Sequence, residues 1–187
     1  MKCRICKSNC FDGPLLRYTN MPSSAQGFPD LKDLENDRGV DLNLFQCSSC
    51  GLIQLSEKPV SYYKEVIRAS SFSDEMKEFR VEQFVSWIDK YNLKEKNILE
   101  VGCGRGEYLS ILKQIKASSV HGVEYSKESV SLCEKSRLPV TKGFFGDDNF
   151  VLPRQEYDGF ICLNFMEHWP NPNKVLAHLK ENISDNA

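Results

Sequence analysis

Nowhere in the 187 residues is there an apolar run of about 18 residues, which excludes a membrane-spanning helix of ordinary length. The opening segment, MKCRICKSNC, lacks the apolar stretch of a secretory leader. An excess of one charge is missing too. Lys and Arg number 24 against 26 Asp and Glu, a formal net charge of -2, so bulk attraction to a polyanion is excluded and only a local patch is allowed. Internal repeats and low-complexity tracts are absent. Aromatics are not scarce: 11 Phe, 7 Tyr and 2 Trp provide core material that a mainly disordered chain would lack. Cysteine is plentiful, with eight residues, four of them in two CxxC pairs. Without a leader these thiols are expected to be reduced, which favours metal ligation over disulfides and points to a cytoplasmic protein.

The character of the chain changes twice. Residues 1–60 carry the two CxxC pairs, separated by a stretch rich in Pro, Gly, Asn and Asp. Such a module has little to bury and needs a staple. LNLFQC (42–47) and GLIQL (51–55) flank the second pair and read as two strands joined by a metal knuckle. Residues 61–95 read as a helical linker. Phe72, Met76, Phe79, Phe84, Trp87, Ile88 and Tyr91 recur every three or four positions. Ser73 with Asp74 and Glu75 behind it makes a helix start, so a helix is predicted from about Asp74 to Tyr91. Over 96–187 strand and helix signals alternate: strands at 97–101, 119–124, 139–144 and 157–163, and helices at 108–115, 127–135 and 172–181. This order implies a parallel α/β sheet with right-handed crossovers.

Cys3 and Cys6 form one pair, Cys47 and Cys50 the other. A two-residue gap lets both sulfurs of a pair face one ion, and two pairs complete a tetrahedral shell suited to Zn²⁺. Four sulfurs leave no open position for water, so the site reads as structural. Gly51 helps the second knuckle turn by tolerating a positive φ. Cys10 could replace Cys6, but its spacing fits less well. A redox CxxC, an iron–sulfur centre and nucleic-acid binding are the competing readings, the last without a dense basic helix to support it.

NILEVGCGRGEYL (97–109) is a strand followed by Gly102, Gly104 and Gly106 and the start of a helix. Glycines allow close backbone approach to a ligand, and the helix start offers unpaired N–H groups. A dinucleotide site prefers GxGxxG, with a pyrophosphate at the helix end. Here the third glycine comes one residue early, and Glu100 stands just before the loop. That carboxylate would repel a pyrophosphate and attract a cation, which favours S-adenosylmethionine. The next strand ends at Glu124, at an offset suited to a carboxylate that accepts from both ribose hydroxyls. Tyr125 follows it. After the third strand signal come Gly146, Asp147, Asp148 and Asn149, one of which would meet the adenine amino group, with Phe144 or Phe145 stacking on the ring.

YDGFICLNFMEHWPNP (157–172) runs from a buried strand into a loop bearing Asn164, Glu167, His168 and Trp169. Loops at the carboxyl ends of parallel strands hold ligands. His168 suits proton transfer near neutral pH, and Glu167 would orient it or face the methionine ammonium. His121 reads as structural, His178 as exposed, Cys103 as packing within the loop, and Cys133 and Cys162 as buried core thiols.

EVGCGRGEYL together with GVEYS resembles the class I S-adenosylmethionine-dependent methyltransferases. The order CRIC, FQCSSCGLIQL, SSFSDEM, EVGCGRGEYL, NFMEHWPNP is similar to a narrower group, sugar C-methyltransferases with an N-terminal zinc-binding domain. The resemblance implies a Rossmann-like α/β fold with a small zinc module in front. It implies zinc on Cys3, Cys6, Cys47 and Cys50, and cofactor contacts from Glu100, Gly102, Gly104 and Glu124; Cys103, Gly106, Tyr125, Asp147 and Asn164 are further candidate cofactor contacts by their place in the same loops. It implies a place for His168 near a nucleotide-linked 4-keto-deoxysugar, in which a base removes the proton beside the ketone, and His168 with Glu167 beside it are the candidate catalytic residues. In IRASSFS, Arg68 stands where the family commonly has a tyrosine before the paired serines, and arginine is no base at neutral pH. Arg68, Ser70 and Ser71 are therefore candidate substrate residues, Arg68 as a holder of phosphate or carboxylate. The family fold has seven strands and this sequence signals four, the pattern of a fragment or a divergent short form. An open sheet edge and self-association through it are then expected. A small molecule is the expected partner, with neither nucleic acid nor membrane. A nicotinamide-dependent oxidoreductase and a non-enzymatic zinc-bearing binding module are the alternatives.

Overall fold

The computed structural model describes residues 1–24, 26–65, 73–115, 119–153, 156–184 and 187. The chain divides into two compact units, 1–66 with 170–173, and 67–169 with 174–187.

The first unit is an antiparallel sheet of β1 (Leu16–Met21), β2 (Val40–Gln46) and β3 (Ile53–Leu55), in that order. The sequence predicts β2 and β3 on either side of the second CxxC, and β1 is an addition to it. Leu16 pairs with Leu44 and Tyr18 with Leu42, and Leu44 also pairs with Leu55, so one face is apolar. That face remains open: Leu16 is 51% exposed and Ile53 54%. Only Cys3, Cys47 and Gln54 are buried among the described residues of this unit. The Gln54 amide explains its own burial. Its oxygen accepts from the Arg4 N–H at 2.9 Å and its nitrogen donates to the Lys2 carbonyl at 3.2 Å, tying β3 to the first CxxC.

The second unit opens with α1 (Asp74–Lys90). The Ser73 hydroxyl accepts from the Met76 N–H, as the capping signal predicts. The helix buries Phe84 and Ile88, one turn apart, with Val81 and Trp87 beside them. Met76, Phe79 and Tyr91, expected on the same face, are 41%, 53% and 56% exposed. The apolar period runs the length of the helix, but among the described residues its core contacts run from Val81 onward.

A parallel sheet follows: β4 (Asn97–Val101), β5 (Ser119–Glu124), β6 (Val140–Lys142) and β7 (Gly159–Ile161), ordered β6-β5-β4-β7. Between them run α2 (Glu107–Gln114) and α3 (Lys127–Lys135), with α4 (Pro172–Lys180) after β7. This is the α/β class and parallel sheet that the sequence predicts. The order reverses between β4 and β7, so the carboxyl ends of those two strands face a crevice where ligands bind in such sheets. Ile98, Leu99 and Val101 are buried on both faces of β4, and Leu109, Ile111 and Leu112 of α2 cover one of them. Each such side chain contributes about 1.5–3 kcal/mol of burial. Along the β7 edge, Ile183 makes a parallel bridge to Tyr157, whose N–H donates to the Asn182 carbonyl while its own carbonyl accepts from the Ser184 N–H. The open edge expected from the sequence is thus met by backbone at its start. Among the described residues no helix is long and apolar enough to cross a membrane.

Candidate functional site

The first unit gathers four sulfurs. Cys3 Sγ lies 3.6 Å from Cys50 Sγ, and Cys6 Sγ lies 3.6 Å from Cys47 Sγ. All four lie within 4.8 Å of one another, and Cys10 is outside the group. Zinc–sulfur bonds of about 2.3 Å in a tetrahedron place neighbouring sulfurs about 3.8 Å apart, so the donor set fits that ion. The two knuckles share one shape. The Cys3 carbonyl accepts from Lys7 N–H and the Cys47 carbonyl from Gly51 N–H, and Lys7 (φ 63°) and Gly51 (φ 78°) both turn left-handed after the second cysteine. Burial works to raise the Cys3 thiol, yet the N–H groups of Cys6 and Ile5 and the sulfurs of Cys50 and Cys6 bring it down to about 6. For Cys6 the Ser8 N–H pulls down, but burial and the three other sulfurs push the thiol up to about 12. Four thiols this close resist ionising together, and a divalent cation removes that conflict.

In the second unit the glycine loop joins β4 to α2. Gly102, Gly104 and Gly106 all have positive φ, 75°, 57° and 84°. Two of them also lack room for a side chain. A Cβ on Gly102 would stand 2.6 Å from the Phe165 ring, and one on Gly106 2.4 Å from Leu138 Cδ1. The N–H groups of Gly102 and Cys103 both donate to the Val123 carbonyl, which pins the loop to β5. Glu124 closes the clasp: one carboxylate oxygen accepts from Gly104 N–H at 2.9 Å and the other from Ser126 N–H at 2.8 Å. The carboxylate picked out by its offset from the glycines thus lies against the loop itself. Glu100 is 1% exposed on β4, beside the loop. Burial pushes the Cys162 thiol up to about 12, with the Glu167 and Glu100 carboxylates adding to it. Glu100 and Glu124 both act on the Cys103 thiol, and Glu167 and Glu100 on Cys162, so negative charge gathers at the carboxyl ends of β4, β5 and β7, which favours a cation there over a pyrophosphate.

An aromatic row joins the loops that follow β5, β6 and β7. Tyr125 meets Phe144 edge-on at 6.4 Å, Phe144 meets Phe165 at 5.9 Å, and Phe165 meets Trp169 at 6.2 Å between ring centroids. Of the two phenylalanines considered for stacking, Phe144 belongs to this row. Phe145 points the other way, to Phe150 and His178. His178, expected to be exposed, is half-buried, its ring 4.8 Å from that of Phe145 and 6.2 Å from that of Phe150. Cys162, expected to be core, is half-buried one residue past β7. His121 has the structural role expected, with its Nε2 2.8 Å from the Thr141 hydroxyl.

Asn164 adopts a left-handed φ of 53° in the loop after β7, a conformation asparagine tolerates best among side-chain-bearing residues. Glu167 and His168 follow in a one-turn 3-10 helix (Met166–His168), both exposed. Asp147 is half-buried in the turn after Phe144, its N–H donating to the Phe144 carbonyl. Arg68, Ser70 and Ser71 lie outside the described residues. Phe165 was not singled out in the sequence. Its contact with Gly102 spans the reversal point of the sheet, and no local pattern announces it.

A ubiquinone biosynthesis O-methyltransferase of Dechloromonas aromatica is 31% identical over 99 residues, 50% of this chain and 42% of that relative. One from Pseudomonas savastanoi is 28% identical over 98 residues, 49% of this chain and again 42% of the relative. The chain spans less than half the length of these curated relatives. Among solved structures, the plantazolicin methyltransferase BpumL, in complex with a triazolic desmethylPZN analog and SAH, superposes with a TM-score of 0.51 at 22% identity, over 67% of this chain and 47% of that one. An S-adenosylmethionine-dependent methyltransferase from Clostridium acetobutylicum gives 0.51 at 18% identity, over 67% and 52%. At these identities the likeness is one of fold. Residues 74–187, more than half of the sequence, match the methyltransferase domain family, and the chain belongs to it.

Proposed function

We propose that the protein transfers a methyl group from S-adenosylmethionine to a small molecule, with a structural zinc ion held by Cys3, Cys6, Cys47 and Cys50. The observation that carries the reading is the Glu124 clasp on Gly104, set beside the buried Glu100 at the reversal point of the sheet. Glu124 keeps lone pairs free to accept from ribose hydroxyls, since each of its oxygens holds one backbone bond. The loop of Gly102, Gly104 and Gly106 with Cys103 would approach the methionine end, and Glu100 would face its ammonium. Tyr125, Phe144 and Asp147 would bound the adenine, and Asn164 the far side. When bound, S-adenosylmethionine supplies an electrophilic methyl group on a sulfonium.

For the acceptor we infer a nucleotide-linked keto-deoxysugar methylated on carbon. The four-cysteine cluster ahead of the methyltransferase domain supports this. His168 would take the proton next to the ketone, and Glu167 would orient His168. Arg68, Ser70 and Ser71 would hold the substrate's charged and hydroxyl groups. A second reading, O-methylation of a phenol, rests on the similarity to ubiquinone biosynthesis O-methyltransferases.

Calorimetry on the zinc-loaded chain tests the cofactor half. S-adenosylhomocysteine is expected to bind and NADH to give no heat, and the reverse outcome ends the reading. Transfer of a labelled methyl group to a dTDP-4-keto-deoxysugar, but not to a catechol, supports the carbon acceptor, and the opposite preference replaces it with the second reading. In the first case His168→Ala is expected to abolish transfer while cofactor binding persists.

A further inference from the structure

Cys103 and Cys133 sit beneath the glycine loop, both fully buried. Cys103 belongs to the loop, and Cys133 comes from α3. Cys133 Sγ lies 3.5 Å from the Gly104 carbonyl oxygen, and Cys103 Sγ lies 4.0 Å from that same oxygen. Two sulfurs thus flank one carbonyl of the loop. The missing side chain of Gly106 makes room for Cys133, since a Cβ there would stand 3.0 Å from its sulfur. On the other side Gly122 makes room for Cys103, where a Cβ would stand 2.6 Å from that sulfur.

The thiols also interact with each other. Cys133 and burial push Cys103 far above the ordinary thiol range, with Glu100 adding to it. The Cys103 S–H in turn draws Cys133 down, against its own burial. Of the two sulfurs, Cys133 is the one whose thiol is held lower, and so the better placed to react first.

We propose that Cys103 and Cys133 form a modification site, at which a peroxide oxidises the pair to an internal disulfide that pins the glycine loop to α3 and weakens binding of the adenosyl cofactor. The Cys133 thiolate attacks one peroxide oxygen. The O–O bond breaks, and the departing hydroxide takes up the proton that Cys133 released. Cys133 is left as a sulfenic acid. Cys103 sulfur then attacks Cys133 sulfur, the S–O bond breaks, and hydroxide leaves as water with the Cys103 proton. Two electrons pass from the sulfurs to the peroxide, and hydrogen peroxide plus two thiols give one disulfide and two waters.

An S–S bond of about 2.05 Å is far shorter than a thiol contact, so the loop must follow Cys103 toward α3. Gly104 is the next residue, and its N–H is the one Glu124 holds. The burial of both sulfurs makes the reaction depend on loop opening, so a ligand that holds the loop closed slows it.

The inference rests on the cofactor reading above, and the experiment separates the two. Zinc-loaded full chain is treated with hydrogen peroxide, alkylated, digested and mapped by mass spectrometry. S-adenosylhomocysteine affinity is measured before treatment, after it, and after dithiothreitol. A peptide joining Cys103 to Cys133 is expected, forming more slowly when S-adenosylhomocysteine is saturating. Affinity is expected to fall at least about tenfold and to return on reduction. Cys133→Ala, or Cys133→Ser if the first variant does not fold, is expected to bind in the reduced state and to ignore peroxide. Zinc release is followed in the same samples. A loss of affinity that tracks zinc release and occurs in the Cys133 variant as well overturns the proposal. So does a linked peptide with unchanged affinity, or the absence of that peptide. If the reduced wild-type chain takes up no S-adenosylhomocysteine, the cofactor reading fails and the inference falls with it. If reduced and oxidised chains bind equally, only the inference falls.

Discussion

The two units of this chain solve the problem of folding in opposite ways. Among its described residues the first buries two cysteines and a glutamine, and leaves Leu16, Tyr18 and Ile53 half in water on an apolar sheet face. The second buries Ile98, Leu99, Leu109, Ile111 and Leu112 almost completely, with helices over a parallel sheet. A core of that kind stabilises by removing apolar area from water. Among its described residues the first unit buries little such area, and the four-sulfur group is the feature on which a staple would act. Small domains that cannot fill a core rely on metals or crosslinks.

The comparison breaks most sharply under metal removal. Cys47→Ser, or a strong chelator, is expected to abolish folding of the first unit, since structural zinc supplies about 10–16 kcal/mol of apparent binding energy in small domains. Hydrogen exchange should then show β2 unprotected while β4 and β5 stay protected. Equal loss in both would mean that the two units do not draw on separate sources of stability.

A smaller effect belongs to the second unit alone. Gly106→Ala places a Cβ against Leu138 at a φ of 84°, and about 3 kcal/mol of destabilisation is expected from strain and overpacking. Urea denaturation measures it, with zinc content unchanged. An unaffected midpoint would show that the loop has slack.

Glu124→Gln keeps the size of the side chain but removes its charge and one of the two acceptors that hold Gly104 and Ser126. S-adenosylhomocysteine affinity should drop by about tenfold, or roughly 1.4 kcal/mol, by calorimetry. Unaltered affinity would detach Glu124 from the ribose.

Thiol reactivity sharpens the contrast at the scale of single atoms. Cys10 is exposed, and hydrogen bonds from Ser8 and then Ser49 hold its thiol below the ordinary value. Cys162 is pushed up to about 12, first by burial and then by Glu167 and Glu100. Raising a thiol pKa favours the protonated form, so Cys162 stays neutral as pH climbs through 8 and 9, whereas Cys10 ionises early. Iodoacetamide at pH 8 should label Cys10 well before Cys162, and equal rates would contradict the acidic surroundings assigned to Cys162.

Particular residues show what could be read along the chain. The strand at 119–124 and the helix at 127–135 match the structure residue for residue, because a short apolar stretch between polar turns and a serine cap are local signals. The two CxxC pairs were legible as one group of four sulfurs, since a two-residue gap lets both sulfurs of a pair face the same point. Glu124 was legible from its offset to the glycines. Strand β1 was not, for LRYTNM alternates weakly and gains its pairing only from β2. Met76 and Phe79 kept the period of a buried face and stayed in water, because amphipathicity says which side of a helix is apolar and not how far its partner extends.

By itself the sequence determined the alternation of strands and helices in the second unit, the four-sulfur set and the glycine loop with its acidic neighbours, all of which depend on near neighbours in the chain. The tertiary structure alone decided that β7 lies against β4, that Phe165 covers Gly102, and that Cys133 reaches the carbonyl beside Cys103. Those contacts join residues about 30 to 60 positions apart. They exist because close packing accepts few arrangements of side chains, and it selects among them by shape.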